Sequence, residues 1–346
     1  GLIDTHVHLS GDPGGDYRDE AVDPDEWAAI VGAKNARITA EAGFTTVRDL
    51  GSPSQVGFVL RRGTAEGLIP GPRIVASGPS ISIIGGHGDV SGFRPEVIEA
   101  LEIGNTCTGP AECAARVREA PRAGADLIKI PVTGGVLSQQ ARGLGQHFTD
   151  AEMKAIVDTA HSLGLKVPAH AQRAAGTEAA ARAGVDSIEH GTFADADAIA
   201  AMKANGTALV PTLMAYTGIR DGLAKGVFTP AVAEKVRMTL DQVGKAAIAA
   251  RAAGVPVVFG TDSAVYPHGR NAEEFAQLVE IVGMRPAEAL ASATTGAAKL
   301  IDLENEVGRI APGYSADMIA VSGNPLENIR ALEQVDWVMV RGEPIE

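Results

Sequence analysis

The chain has 346 residues and 45% of them are hydrophobic, which is enough to bury one large core or two smaller ones. Its formal net charge of −13 argues against a nucleic-acid-binding protein, which normally presents a basic surface. No apolar run reaches the roughly 18 residues that a membrane-spanning helix requires. The composition therefore predicts an acidic protein that binds neither nucleic acid nor a membrane.

Short β-rich segments alternate with alanine-rich segments through residue 304. We predict strands at residues 2–9, 45–50, 73–78, 127–133, 166–171, 186–190, 207–213 and 256–262. The intervening segments are predicted helices, and those at 25–42 and 173–183 are each followed by a glycine, which commonly ends a helix. Capping boxes at 149–152 and 271–274 predict the starts of two further helices.

Eight strands that alternate with helices predict an α/β fold with a (β/α)8 TIM barrel at residues 1–304. A doubly wound open sheet is the main alternative. No glycine-rich nucleotide-binding motif follows any predicted strand, so we favour the barrel.

Residues 305–346 contain short strand and turn patterns without helices, which predicts a small β-layer beside the barrel. A few strands cannot bury both of their faces alone. Because the chain begins directly in a predicted strand, we expect a partner segment that precedes Gly1.

The two cysteines, Cys107 and Cys113, are too few for a framework of disulfide bonds. Their close spacing beside Gly109-Pro110 would allow them to pair. We favour two buried thiols, because free cysteines behave as small apolar side chains.

Two histidines at the end of the first predicted strand are the most informative feature of the sequence. Alternate residues of a strand face the same side, so His6 and His8 lie next to each other. Neutral imidazole nitrogens bind zinc and similar ions well. The pair alone could equally be a polar strand tip with two hydrogen-bonded histidines.

Further polar residues occupy the predicted barrel strands, and barrel enzymes build their sites where strands end. These residues are Lys129 in strand four, His170 in strand five, His190 in strand six and Asp262 in strand eight. Each has an alternative role: a histidine is often a hydrogen-bonded core residue, a lysine can extend to solvent and an aspartate can cap a helix. All these alternatives would have to hold together on five strands, so we favour a metal site.

Lys129 indicates the type of metal site. Burial of an ammonium group lowers its pKa and yields a nucleophilic neutral amine. If that amine captures carbon dioxide, it becomes a carbamate with two oxygens that can bridge two cations. This modification cannot be deduced from the sequence itself.

Motifs that cover essentially the whole chain resemble the amidohydrolase superfamily. The resemblance is to its imidazolonepropionase-like, Xaa-Pro dipeptidase and arginine carboxypeptidase-like branch, and the chain is also similar to amidohydrolases that cleave ochratoxin. The matching segments are residues 1–8, 42–48, 71–73, 85–87, 128–129, 134–136, 169–171, 188–190, 260–262, 267–269, 312–313 and 316–317.

The resemblance implies a TIM barrel with a β-sandwich domain that the C-terminal strands complete, its first half preceding residue 1. It also implies two zinc ions bridged by N-carboxylated Lys129. His6, His8 and Asp262 would hold one ion, and His170 and His190 would hold the other. Asp262 would take a proton from the nucleophile and pass it to the leaving nitrogen. We further expect a homo-oligomer.

Loop residues are candidates for substrate binding, although each could equally be solvated. We expect His87 and Tyr216 to contact the substrate and contribute to catalysis, and Arg142 to pair with a substrate carboxylate. His268 is a weaker candidate. His147 and His161 are predicted to be ordinary surface residues.

We therefore predict a metal-dependent hydrolase that cleaves an amide bond to a C-terminal amino acid. Its substrate would be a small molecule or dipeptide with a free carboxylate, and ochratoxin A is one possibility. One alternative is a mononuclear deaminase or a cyclic amide or lactam hydrolase, although that chemistry does not use the strand-four lysine. A catalytically inactive barrel used for binding is the other.

Overall fold

A computed structural model of the chain describes residues 1–14, 17–138 and 143–345. Within them, ten strands are β1 (Leu2–Val7), β2 (Phe44–Asp49), β3 (Arg73–Ala76), β4 (Ile130–Pro131), β5 (Pro168–Arg173), β6 (Ser187–Phe193), β7 (Ala208–Val210), β8 (Met318–Val321), β9 (Val335–Val340) and β10 (Glu343–Pro344).

The α-helices of these residues lie between the parallel strands and after β7, through residue 300. They are α1 (Asp25–Glu41), α2 (Val56–Ala65), α3 (Pro95–Leu101), α4 (Pro110–Ala123), α5 (Asp150–Ser162), α6 (Ala174–Ala183), α7 (Ala196–Asn205), α8 (Leu213–Lys225), α9 (Pro230–Leu240), α10 (Lys245–Ala253), α11 (Glu273–Glu280), α12 (Pro286–Ser292) and α13 (Thr295–Leu300). Two short 3-10 helices lie at Tyr17–Ala21 and Ile329–Glu333.

The first seven strands form two parallel sheets, in the orders β1-β2-β3 and β4-β5-β6-β7. The sheets are joined beyond β3, where the backbone N–H of Asp126 donates to Ala76 and that of Ile81 donates to Lys129, both at 2.9 Å. Parallel strands connected by helices place all their carboxyl ends at one edge. That edge is where the predicted polar residues lie.

Residues 256–263 bond to β7 on one side and to β1 on the other. The N–H of Leu209 donates to Pro256 at 2.8 Å, and the N–H of Asp262 donates to His6 at 2.8 Å. The predicted eighth strand is therefore present only as isolated parallel bridges. Pro256 has no N–H to donate, and Asp262 has a φ of 60°, so a regular ladder cannot form here.

The other predicted strands are confirmed with shifted ends. The fourth is the shortest of the parallel strands, because Pro131 cannot donate to a ladder. The capping box at Thr149 and Glu152 is confirmed. The one predicted at 271–274 is wrong: Glu274 instead accepts bonds from the backbone N–H groups of Leu213 (2.9 Å) and Met214 (2.7 Å), at the start of α8.

The apolar core lies between the parallel strands and their helices. Phe259 stacks on Phe44 with ring centroids 5.5 Å apart and packs against Phe275 at 4.4 Å. At the C-terminus β10, β9 and β8 form a small antiparallel sheet, and β9 packs against α1 and β2. None of the described helices is long and apolar enough to cross a membrane.

The prediction of two free thiols is wrong. Cys107 and Cys113 are both buried, as expected, but they form a disulfide bond. The bond links the loop before α4 to its first turn. This loop lies beside the segment that carries His87, because the N–H of Cys107 donates to the carbonyl of Ser82 at 2.9 Å.

Candidate metal centre

Three of the predicted metal ligands lie together at the ends of β1 and the 256–263 segment. Nε2 of His6 and Nε2 of His8 are each 3.4 Å from Oδ1 of Asp262. Potential ligand atoms of all three residues lie within 4.8 Å of one another, so this group could hold a divalent metal ion.

The other two histidines continue this group around the edge of the sheets. The ring centroid of His190, in β6, is 5.2 Å from that of His6 and 4.7 Å from that of His170, in β5. Four imidazoles from three strand ends thus form one contiguous cluster.

One ring nitrogen of each β1 histidine is already hydrogen-bonded. Nδ1 of His6 donates to Oε2 of Glu189 at 2.8 Å, and Nδ1 of His8 donates to the carbonyl of Gly51 at 3.0 Å. A carboxylate and a carbonyl only accept, so both histidines carry their proton on Nδ1. Their Nε2 atoms face Oδ1 of Asp262 and are the nitrogens left to bind a metal together with that carboxylate.

The β5 and β6 histidines are held in the same manner by residues just beyond the neighbouring strands β4 and β7. Nε2 of His170 donates to the carbonyl of Gly134 at 3.4 Å, which leaves Nδ1 free. Thr212 donates its hydroxyl proton to the carbonyl of Pro211, so it accepts from Nδ1 of His190 at 2.6 Å. The Nε2 lone pair of His190 is therefore the free one.

Three residues of the site have left-handed backbone conformations that are uncommon outside glycine. They are His190 (φ 71°), Thr212 (φ 49°) and Asp262 (φ 60°). Such conformations are unfavourable for residues with a Cβ and tend to cluster at functional sites. Here they turn the chain sharply at the strand ends that carry these polar side chains.

Burial favours the neutral form of His6, His170 and His190, which is the form that binds a metal. It lowers the pKa of His190 to about 4 and holds those of His6 and His170 well below the usual value. Burial also acts to lower the pKa of His8, but its hydrogen bond to Asp262 raises that pKa above the usual value. Burial alone would raise the pKa of Asp262, but His6 and His8 hold it well below its usual range, so this carboxylate is ionised. The donor set therefore suits a cation.

Lys129 is buried at the same site, with 5% of its surface exposed. Burial lowers the pKa of its amine to about 8, although the carboxylates of Glu189 and Asp262 act in the opposite direction. A substantial neutral fraction near neutral pH is what reaction with carbon dioxide requires.

The sequence did not single out Glu189 and Arg48, which form a fully buried ion pair behind His6. Nη2 of Arg48 donates to Oε1 of Glu189 at 2.9 Å, and Nε of Arg48 donates to the carbonyl of Thr5 at 2.5 Å. Ser187 donates to the same oxygen of Glu189 at 2.5 Å. An arginine inside a β-strand core is the signal that could have revealed this pair.

His87 lies beside the candidate metal centre. Its ring centroid is 4.4 Å from that of His170, and burial lowers its pKa to about 3. Within the described residues its Nδ1 is buried and has no hydrogen-bond partner. The expectation that His147 is a surface residue is wrong, because it is half-buried and its Nδ1 accepts the backbone N–H of His87 at 3.4 Å.

Tyr216 is buried in α8, next to a chain of polar side chains. Thr192 donates to Oε1 of Gln172 at 2.6 Å, so the hydroxyl of Tyr216 donates to Thr192. Burial raises the pKa of Tyr216 to about 12, which keeps it a proton donor. To contact a substrate, this hydroxyl would have to exchange its bond to Thr192.

Two further predicted residues within the described part of the chain, His268 and His161, are hydrogen-bonded to other parts of the protein. Nε2 of His268 donates to the carbonyl of Gly11 at 3.1 Å and its Nδ1 accepts from Thr39 at 3.3 Å, so both nitrogens are engaged. His161 is exposed, as predicted, and bonds to Asp186 at 2.9 Å. Arg142 lies outside the described residues.

These features define a class, the metal-dependent hydrolases built on parallel α/β strands. Residues 1–345 match the Amidohydrolase family, and the chain belongs to that family. The chain is accordingly a hydrolase that acts on C–N bonds, and the family and its structures imply a TIM-barrel fold.

Among curated relatives, the chain is 33% identical to the ochratoxinase of Aspergillus niger over 357 residues, covering 96% of this chain and 72% of that protein. A crystal structure of a Xaa-Pro dipeptidase with bound methionine is 39% identical, with a TM-score of 0.90, and covers 99% of this chain and 85% of that one. A prolidase complexed with N-methylphosphonate-L-proline is 32% identical, with a TM-score of 0.88 and the same coverage.

Proposed function

We propose that the chain is a binuclear, metal-dependent amidohydrolase that cleaves the amide bond to a C-terminal amino acid. The observation that carries the proposal is the cluster of four histidines. In each, a hydrogen bond to the protein holds one nitrogen and leaves the other for a metal, beside an ionised Asp262 and a buried Lys129. A set of imidazoles with a carboxylate suits zinc or a similar divalent ion.

The ligands divide into two groups that we call half-sites. The His6 half-site consists of His6, His8 and Asp262, and the His170 half-site consists of His170 and His190. Lys129 would supply the bridge after its amine adds to carbon dioxide, which forms an N–C bond and releases a proton. The lowered pKa of Lys129 supports this step because only the neutral amine has a free lone pair.

Two bound ions would lower the pKa of a water molecule and polarise the substrate carbonyl. Asp262 would accept the proton of the attacking water and deliver it to the leaving nitrogen as the C–N bond breaks. Its low pKa supports the first role, since a carboxylate must be ionised to accept a proton. His87, whose Nδ1 has no partner in the described residues, is well situated to contact the substrate carbonyl or carboxylate.

The relatives support a substrate that ends in an amino acid. A Xaa-Pro dipeptidase and a prolidase are among the similar structures, and the molecules bound in them are methionine and a proline derivative. The similarity to ochratoxinase makes hydrolysis of ochratoxin A to ochratoxin α and phenylalanine a specific candidate reaction. His87, Tyr216 and Arg142 remain proposed substrate contacts, whereas His268, with both ring nitrogens hydrogen-bonded within the protein, is no longer one.

We also propose that the 256–263 segment closes the two parallel sheets into an eight-stranded barrel spanning residues 1–304. Its bonds to β7 and β1 support this arrangement. Residues 305–346 would then belong to a separate β-sandwich domain, and the protein would assemble as a homo-oligomer.

The test is a substrate panel on purified, metal-loaded protein, with metal content measured in parallel. The panel comprises dipeptides with C-terminal proline, methionine or phenylalanine, N-acyl amino acids, ochratoxin A and cyclic amides. Two metal ions per chain and turnover of the C-terminal amino-acid substrates are expected. One ion per chain with turnover of cyclic amides alone would replace the proposal with the mononuclear alternative.

A further inference from the structure

The histidines of the two half-sites differ in the charge of their hydrogen-bond partners. This difference affects the order in which metal ions bind. Glu189 is a carboxylate hydrogen-bonded to the distal nitrogen of His6 at 2.8 Å. Within the described residues, the corresponding partners of His8, His170 and His190 are neutral: two carbonyls and a hydroxyl.

A charged hydrogen-bond partner changes how strongly a histidine binds a metal ion. When its N–H is bonded to a carboxylate, the opposite nitrogen becomes a more basic ligand, and losing such a partner typically costs about 10- to 100-fold in metal affinity. A neutral carbonyl or hydroxyl orients the ring but polarises it less, because a charged acceptor forms the stronger hydrogen bond. His6 should therefore be the strongest metal ligand of the four histidines.

Arg48 stabilises the buried negative charge of Glu189. Glu189 has none of its surface exposed, and a lone carboxylate in such a place would be strongly destabilised. Its two oxygens are divided: Oε1 accepts from Arg48 and Ser187, and Oε2 accepts from His6. Arg48 also bonds to the carbonyl of Thr5, one residue before His6 in β1. The ion pair thus fixes both the charge and the position of His6.

A second carboxylate lies on the same side of the centre. Asp49, at the end of β2, is fully buried and accepts the backbone N–H groups of Leu9 at 3.0 Å and Gly51 at 3.3 Å. It therefore orders the turn whose carbonyl receives the proton of His8. No described carboxylate bonds to the histidines of the His170 half-site.

We propose that Arg48 and Glu189 are positioning residues that make the His6 half-site the tighter of the two metal sites. The inference rests on the proposed binuclear function. It assigns the first metal ion bound, and the last one lost to a chelator, to His6, His8 and Asp262.

The experiment titrates the metal-free protein with zinc in competition with a fluorescent chelator, which yields two stepwise dissociation constants. Removal of His8 by His8→Ala should abolish the tighter step, whereas His190→Ala should preserve it. Glu189→Gln keeps a neutral acceptor for His6 and removes only the charge. It should weaken the tighter step about 10- to 100-fold and change the weaker step less than about threefold.

Matched controls separate this role from a structural one. Thr212→Val removes the neutral partner of His190 and should weaken only the looser step. Because Glu189→Gln leaves Arg48 buried without an anion, the double variant Arg48→Met/Glu189→Gln provides a second test without buried charge. In the double variant the zinc affinity of the tighter step should fall as it does in Glu189→Gln. This should hold even if the metal-free double variant is as thermally stable as the parent protein.

The outcomes distinguish the inference from the function on which it rests. Two ions whose affinities fall equally in Glu189→Gln, or do not fall, would overturn the inference and leave the binuclear site intact. Preservation of the tighter step in His8→Ala would also overturn it, since the order of the half-sites would be reversed. A parent protein that binds no second ion would overturn the binuclear function and the ordering together.

Discussion

Polar side chains at the strand ends are held differently from those in the surrounding loops. At the strand ends each of the four histidines has one nitrogen hydrogen-bonded to another part of the chain, which leaves the other nitrogen for a metal ion. In the loops, His268 has both nitrogens engaged, while Nδ1 of His87 has no partner in the described part of the chain. A histidine at a strand end thus has a predictable arrangement. A histidine in a loop can have an unpaired nitrogen within the described residues, as His87 does, or have both nitrogens engaged, as His268 does.

The strongest test of the comparison removes a strand-end ligand. His170→Ala or His190→Ala should lower kcat/KM at least about 10⁴-fold, since loss of a metal forfeits several kcal/mol of charge stabilisation. The fold should survive, because each change truncates one side chain on an intact strand. Kinetics in metal-replete buffer, with circular dichroism, provide the measurement.

His161→Ala is the matched control for these variants, as this histidine is exposed on α5 and should be dispensable for turnover. Parent-like activity in either strand-end variant would contradict the assignment of ligands.

Replacement of the buried lysine should have the next largest effect. Lys129→Ala should lower activity about 10³-fold and metal content with it, because the bridging anion is lost. Short carboxylic acids supplied with metal should restore part of the activity. Electron density for an unmodified amine between two fully occupied metal sites would rule out the carbamate.

The residues proposed to contact the substrate can be tested by changing the substrate carboxylate. A substrate carboxylate is costly to bury without a partner, so the pocket should supply a charged or hydrogen-bonding contact for it. Capping the carboxylate as an amide removes that contact and should reduce kcat/KM about 30- to 1,000-fold, equivalent to roughly 2–4 kcal/mol. Tyr216→Phe should shrink this preference if its hydroxyl exchanges Thr192 for the substrate. Equal rates on free and amidated substrates would leave a general amidase.

The smallest effect on catalysis is expected at His268. Its two hydrogen bonds join the loop after the 256–263 segment to α1 and to Gly11, in the loop after β1, so His268→Ala should lower the free energy of unfolding by about 1–3 kcal/mol. We expect kcat/KM to change less than about threefold. Denaturant unfolding and steady-state kinetics on one preparation will show whether this loop residue serves the fold or the substrate.

The sequence predicted the strands and the clustered histidines because both follow from local patterns. Alternation places His6 and His8 on one face, and parallel strands bring their ends together. Burial of Lys129 followed from its apolar neighbours. These features depend on a few adjacent residues, so they could be deduced without knowing the packing.

The features that the sequence missed depend on contacts between distant residues. Glu189 meets Arg48 across 141 positions, and Glu274 caps a helix that begins 61 positions earlier. No local period encodes such a pair. The disulfide was missed for another reason: two cysteines near one another allow pairing, but spacing alone does not give the geometry.

Two of the partners that orient the histidines are backbone carbonyls of glycine, and this has a consequence for directed evolution. A Cβ at Gly51 would lie 3.1 Å from the ring of His8, and one at Gly134 would lie 2.0 Å from the carbonyl oxygen of Gly143. A mutagenesis library that seeks new substrates should therefore hold positions 51 and 134 fixed while it randomises the surrounding loops. Clones altered at these two glycines should fail through loss of metal, whichever substrate is used for selection.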